Sequence, residues 1–251
     1  ALFRITKPQQ LVAHRGNSWE EPENTRAAIL SAIEIGSDVV EFDVSMTSDE
    51  VAIALHGPKL QKSTTGRGRA IEYTWKEIQH FLAIGSKGQE TREPIPAVKD
   101  LLSEFGSQSL WNLDIKDIRS VPPVVSLLED LSLKSHVIFS GLHSGVVKNL
   151  SSNFPDVNFL VNLSRFDKIM LTTRVFAHRW LIFRFADLVS YPSVVGINVH
   201  HRFVNKALVD LVHRLGIEIW TFTVDQPDDV NRLFALGVNS VTTNRPAMRS
   251  A

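Results

Sequence analysis

Residues able to do acid–base or metal chemistry fall at short intervals along this sequence: His14-Arg15-Gly16, Glu41 and Asp43, His56, and then Asn112, Asp114 and Lys116. Each group lies in or just after a short apolar run, and residues two apart on an extended strand share one side. Glu41 and Asp43 therefore face together, as do Asn112, Asp114 and Lys116, so three carboxylates can converge on one point. Unpaired carboxylates placed so close repel and raise one another's pKa, whereas a divalent cation compensates them; all-oxygen ligands suit Mg²⁺ or Ca²⁺ rather than zinc. The opposing reading is that Glu41 and Asp43 form ion pairs with Arg15 or Lys116 and only close the fold. Singly, His14 and His56 read as histidines capping strand ends; as a pair beside the carboxylates they read as functional. Lys116 suits neutralisation of a carboxylate or capture of a phosphate as a point charge. Glu23-Asn24-Thr25 reads equally as a local helix cap, with its acid near the positive helix end.

Positioning these groups takes strands that end at one place. Short apolar runs occur at Leu11 to Ala13, Val39 to Val44, Leu110 to Ile115, Val137 to Phe139, Asn158 to Val161, Val194 to Asn198, Glu218 to Val224 and Ser240 to Thr242. Between them lie stretches of helical spacing, among them Glu23 to Ile35, Ala97 to Phe105, Pro122 to Leu131, Ser144 to Asn153, Lys206 to Leu215 and Pro227 to Leu236. Gly36, Gly216 and Gly237 follow a last helical turn, where a left-handed residue is often needed. This alternation predicts an α/β protein, a (β/α)8 TIM barrel of ordinary length, whose active site lies at the C-terminal ends of the strands. Val51 to Leu55 follows the second strand too closely for a parallel crossover, so it must form a hairpin. It opens a small insertion at about residues 46–95, with a helix-like Trp75 to Leu82, on a single domain covering 1–251.

Composition narrows the partners. Lys plus Arg and Asp plus Glu both total 27 in 251 residues, so no net field favours nucleic acid. With no cysteine there is neither disulfide, thiolate metal site nor cysteine nucleophile. The longest apolar region, Ile169 to Tyr191, is broken by Arg174, His178, Arg179, Arg184 and Asp187 and cannot span a bilayer as a simple apolar helix. The chain opens on Ala1 without a charged-then-apolar leader, and compartment and oligomeric state are not written in it.

Taken in order, His14-Arg15-Gly16, Pro22-Glu23-Asn24-Thr25, Glu41-Phe42-Asp43, His56, Thr64-Thr65, Asn112-Leu113-Asp114-Ile115-Lys116, Trp220 to Val224, and Gly237-Val238 through Thr243-Asn244-Arg245-Pro246 resemble the glycerophosphodiester phosphodiesterase family over almost the whole chain. The resemblance implies a barrel with an insertion after its second strand, one divalent cation, and hydrolysis of small glycerophosphodiesters to an alcohol and glycerol 3-phosphate. Carried over by position, Glu41, Asp43 and Asp114 hold the metal, His14 and His56 are acid and base, Arg15 and Lys116 contact phosphate, Glu23 and Asn24 support the site, and Trp220 lines the substrate mouth. A cyclic glycerol phosphate opened by water and direct attack by water both fit this scheme. Gly57, Ser63, Asp114 and Asn244 stand where the family more often has Asp, Arg, Glu and Asp. Two alternatives are carried. One is a lysophospholipase D acting on lysophospholipids at a membrane periphery, prompted by aromatic and arginine residues in Val175 to Leu188; the other, prompted by Gly57 and Ser63, is a phosphodiester-binding barrel without turnover.

Overall fold

Apolar runs with few alternating polar positions are buried on both faces, and eight of them close into a parallel barrel. The structure, a computed structural model, describes residues 9–164, 167 and 185–248. The barrel strands are β1 (Gln10–Ala13), β2 (Val39–Met46), β6 (Leu110–Ile115), β7 (Val137–Leu142), β8 (Asn158–Asn162), β9 (Val194–His200), β10 (Glu218–Phe222) and β11 (Ser240–Thr243). They pair in that order, and β1 closes the ring by pairing in parallel with both β11 and β2. All eight expected runs are barrel strands.

Helices on the outside follow local signals. In α1 (Arg26–Glu34) the Thr25 side chain accepts the Ala28 N–H, so Glu23 and Asn24 belong to the preceding turn rather than to the helix expected from residue 23. Asn24 has φ 61°, outside the helical region. The α3 helix (Val98–Phe105) buries Val98, Leu101, Leu102 and Phe105, one stripe at helical spacing. Proline in the first turn starts α4 (Val121–Asp130) and α7 (Pro227–Leu236), while α5 (Ser144–Asn153) and α6 (Lys206–Arg214) complete the described ring. Gly36, Gly216 and Gly237 all have positive φ, as the helix ends required.

The core has two shells. One fills the space between strands and helices, drawing on Phe42, Trp111, Phe139 and Phe159 among others. The other plugs the barrel floor with Val12, Val39, Ile138, Leu160 and Trp220. Val39 faces the interior, so Glu41 and Asp43, at two-residue steps beyond it, face the interior nearer the C-terminal end.

As expected, residues 52–54 form a hairpin arm: β3 (Ala52–Ala54) runs antiparallel to β2, outside the barrel. The insertion has its own cluster of Ile53, Leu55, Leu60, Ala70, Ile78 and Ile95. The helix expected at Trp75 to Leu82 is shorter. A capping box of Thr74 and Glu77 starts α2 (Trp75–Ile78), but Leu82 already opens β4 (Leu82–Ile84), paired with β5 (Glu90–Pro94). The Leu82 N–H is drawn to the Thr65 hydroxyl at 3.0 Å, which the helical spacing did not reveal.

Candidate active site

At the C-terminal mouth of the barrel, register places Glu41 opposite Asn112 and Asp43 opposite Asp114 on neighbouring strands. One oxygen from each of Glu41, Asp43 and Asp114 lies within 4.8 Å of the others. The expected carboxylate convergence is present. Asp43, with 1% of its side chain exposed, is heavily compensated: Lys116 Nζ at 2.9 Å, Arg15 Nε at 3.0 Å and His56 Nδ1 at 3.2 Å. Asn24 clamps the same residue twice, donating from Nδ2 to Asp43 Oδ2 and accepting the Asp43 N–H, both at 2.9 Å. Burial would raise Asp43, but the His56 hydrogen bond and the charges of Lys116 and Arg15 hold it far below the usual carboxylate range.

The ion-pair reading is therefore correct for Asp43 and insufficient for its neighbours. Glu41 accepts the Arg15 backbone N–H on Oε2 at 2.7 Å, while its Oε1 is buried without a hydrogen-bond partner. Asp114 pairs with Lys116 through Oδ2 at 2.7 Å, and its Oδ1 is likewise buried and unpartnered. Asn112 and Asn198 add two more buried side-chain oxygens without partners. Burial, followed by the charges of Asp43 and Asp114, pushes the Glu41 carboxyl well above its ordinary range. Stranded hard oxygens around a carboxylate trio fit a divalent cation of the Mg²⁺ or Ca²⁺ type. Gly141 helps to make room: with φ 80°, a Cβ there would lie 2.0 Å from Asp114 Oδ1.

The β1–α1 turn brings in the first histidine and the arginine. Arg15 has φ 55° and Gly16 φ 76°, and a Cβ on Gly16 would sit 2.5 Å from the Ala28 backbone, so only glycine lets the turn lie against α1. Arg15 pairs with Glu23 and Asp43 and lies 3.4 Å from His56 Nε2. Arginine has only donors, so His56 Nε2 accepts, which places the ring proton on Nδ1, 3.2 Å from Asp43 Oδ2. Gly57 has φ 74° with open space around it, so a left-handed turn follows His56 and leaves it held by Asp43. On the other side of the mouth, His14 Nδ1 lies 2.6 Å from Asn244 Oδ1. Burial, then the Arg15 charge, lowers the His14 pKa, favouring the neutral ring.

His14, Glu41, Asn112, Asp114 and Lys116 line one cavity with Ser140, Gly141, Asn162, Asn198, Phe222 and Thr242. Arg15 and His56 flank the carboxylates on the insertion side, held by Asp43 rather than lining that cavity. Trp220 requires correction: it is fully buried in the barrel floor, its indole N–H donating to Glu218 at 2.8 Å, and the aromatic wall of the mouth is Phe222. Ser140, Asn162, Asn198 and Thr242 also line the cavity; in the sequence they are single polar residues near the ends of apolar strands, and that position is their only signal. The aromatic-and-arginine segment read as a lipid-facing rim lies outside the described residues except for its end, where Phe185 and Leu188 are buried. Among the described residues no helix is long and apolar enough to cross a membrane.

The sequence pattern of the glycerophosphoryl diester phosphodiesterase family matches residues 14–248. The chain is 24% identical over 247 residues to a glycerophosphodiester phosphodiesterase of Caldanaerobacter subterraneus, covering 94% of each. It is 26% identical over 282 residues to a lysophospholipase D of Mus musculus, covering 98% of this chain and 88% of that one. The solved structure of an Oleispira antarctica phosphodiesterase in complex with the product sn-glycerol-3-phosphate shares the fold at a TM-score of 0.75 and 22% identity, covering 95% of this chain and 94% of that one.

Proposed function

The chain belongs to the glycerophosphoryl diester phosphodiesterase family, and from that premise we propose that it hydrolyses a small glycerophosphodiester to an alcohol and glycerol 3-phosphate by histidine acid–base catalysis with one divalent cation. The observation that carries this reading is the trio Glu41, Asp43 and Asp114, with buried oxygens left over after every ion pair is made, beside His14 and His56. The product named for the Oleispira antarctica relative is the one this reaction releases.

Glu41, Asp43 and Asp114 would hold the cation, which supplies Lewis-acid polarisation of a phosphoryl oxygen. Lys116 lines the cavity and offers a point charge to the phosphate, and Arg15 locks His56 and Asp43 in place. His14 directs Nδ1 at Asn244 Oδ1 and keeps Nε2 as the basic nitrogen, whereas His56 directs Nδ1 at Asp43 and must exchange the Arg15 contact on its Nε2 for substrate. One takes the proton of the attacking oxygen, from water or from the glycerol hydroxyl, as the P–O bond to the leaving alcohol breaks, and the other, protonated, gives that alkoxide its proton. A cyclic phosphate formed by the hydroxyl would then be opened by water with the two roles exchanged. Phe222 is an apolar part of the cavity wall.

The test is hydrolysis of glycerophosphocholine with Mg²⁺ or Ca²⁺ and after chelation, in wild type, His14→Ala and His56→Ala. Each substitution should lower kcat by about 10²- to 10⁴-fold without unfolding the chain. Near-wild-type turnover in both variants would overturn the acid–base roles, and undiminished turnover after chelation would overturn the cation. The Mus musculus relative's name favours a second reading, lysophospholipase D, so lysophosphatidylcholine belongs in the same assay; turnover of the water-soluble diester alone excludes it.

A further inference from the structure

Behind His14, on the side away from the carboxylates, the ends of β10 and β11 are tied together by one acidic residue. Asp225 Oδ1 accepts the backbone N–H of Asn244 at 2.7 Å and the Thr243 hydroxyl at 3.0 Å. Its other oxygen, Oδ2, accepts from the Asn244 side-chain amide, Nδ2, at 2.7 Å. Asn244 Oδ1 is left facing His14 Nδ1 at 2.6 Å and also accepts from the Ser18 hydroxyl at 3.2 Å.

We infer that Asp225 is a positioning residue for catalysis: through the amide of Asn244 it fixes the His14 proton on Nδ1 and leaves the lone pair on Nε2. The inference deepens the acid–base role given to His14 above and rests on that reading. An amide offers a donor at one end and an acceptor at the other, and which end faces a histidine decides the tautomer of a neutral ring. A carboxylate has only acceptors when ionised, so Asp225 admits one orientation of Asn244, with its NH₂ toward Asp225 and its carbonyl toward His14.

The geometry makes a sharp prediction for Asp225→Asn. The fixed backbone N–H of Asn244 and the Thr243 hydroxyl hold the substituted residue's carbonyl oxygen where Oδ1 now lies. Its NH₂ then occupies the place of Oδ2, and the Asn244 amide must turn over to meet it. That turn presents NH₂ to His14 Nδ1, which forces the lone pair onto Nδ1 and the proton onto Nε2. In the double variant Asp225→Asn/Asn244→Asp the chain of donors runs correctly again, with a carboxylate directly on the ring.

Long-range ¹⁵N–¹H NMR of histidine-labelled protein near neutral pH, without substrate, reads the tautomer, and glycerophosphocholine hydrolysis reads kcat. Wild type should show Nδ1–H at His14. Asp225→Asn should show Nε2–H and a kcat lower by about 10- to 100-fold, as outer partners of functional histidines command. The double variant should return to Nδ1–H and recover most of the lost kcat. An unchanged tautomer in a folded Asp225→Asn variant, or a double variant with Nε2–H, overturns the inference. Should the single variant fail to fold, Asp225→Ala decides: with the acceptor on Asn244 Nδ2 removed the amide is free to turn, so loss of the exclusive Nδ1–H signal supports the inference and an unchanged signal overturns it. A wild-type chain that turns over no glycerophosphodiester yet shows the tautomer switch would count against the functional reading and leave the relay standing.

Discussion

Glu41 shows how the site sets stability against function. Its carboxyl, displaced upward first by burial and then by Asp43 and Asp114, retains a proton in the folded, cation-free protein at pH values where the unfolded chain, near its ordinary 4.5, has released it. The native state then binds more protons than the unfolded one across that window, so this residue's contribution to stability falls as pH rises above about 4.5. Glu41→Gln, which mimics the protonated form, should raise the Tm of the cation-free protein at pH 8 relative to wild type and remove most of the pH dependence from this position. The same variant should lose cation binding. Calorimetric titration of wild type in buffers of different ionisation enthalpy should report proton release as the cation enters, with affinity rising with pH. A Glu41→Gln protein no more stable than wild type at pH 8 would show that the carboxyl is already ionised and compensated.

At the scale of one strand, β10 separates two aromatic residues that share a face. Trp220 packs with Val12, Val39, Ile138 and Leu160 in the floor, and Phe222, two residues on, lines the cavity. Trp220→Ala should therefore cost about 3–5 kcal/mol of stability in urea denaturation, the usual range for an emptied aromatic site. Phe222→Ala should leave the denaturation midpoint close to wild type and raise KM for the diester. If instead Trp220→Ala kept wild-type stability and raised KM, the indole would have to reach the substrate. Sequence gives the shared face from the two-residue period, but the height of a side chain along the barrel axis depends on the stagger between strands, a property of closure.

For the molecule as a whole, cation binding and folding are linked, because three ligands from two strands meet only in the closed barrel. At a hundred times its Kd, a cation that binds only the folded state adds about 2.7 kcal/mol, equivalent to a Tm rise of about 5–10 °C for a chain of this size. Thermal melts with EDTA, Mg²⁺ and Ca²⁺ should show that rise and say which ion is preferred; superimposable melts would count against the site. Sequence alone determined the eight strands, the hairpin after the second, the glycine-ended helices and the shared faces of Glu41 with Asp43 and of Asn112 with Asp114, because these follow from local periodicity and backbone freedom. It also marked His14 and His56. Tertiary structure alone decided that Asp43 carries the compensating cations while Glu41 and Asp114 keep free oxygens, that Phe222 rather than Trp220 forms the aromatic wall, and that Asp225 stands behind His14 through Asn244. Those outcomes depend on distances between side chains far apart in the chain, set by strand stagger and barrel closure, which no local pattern encodes.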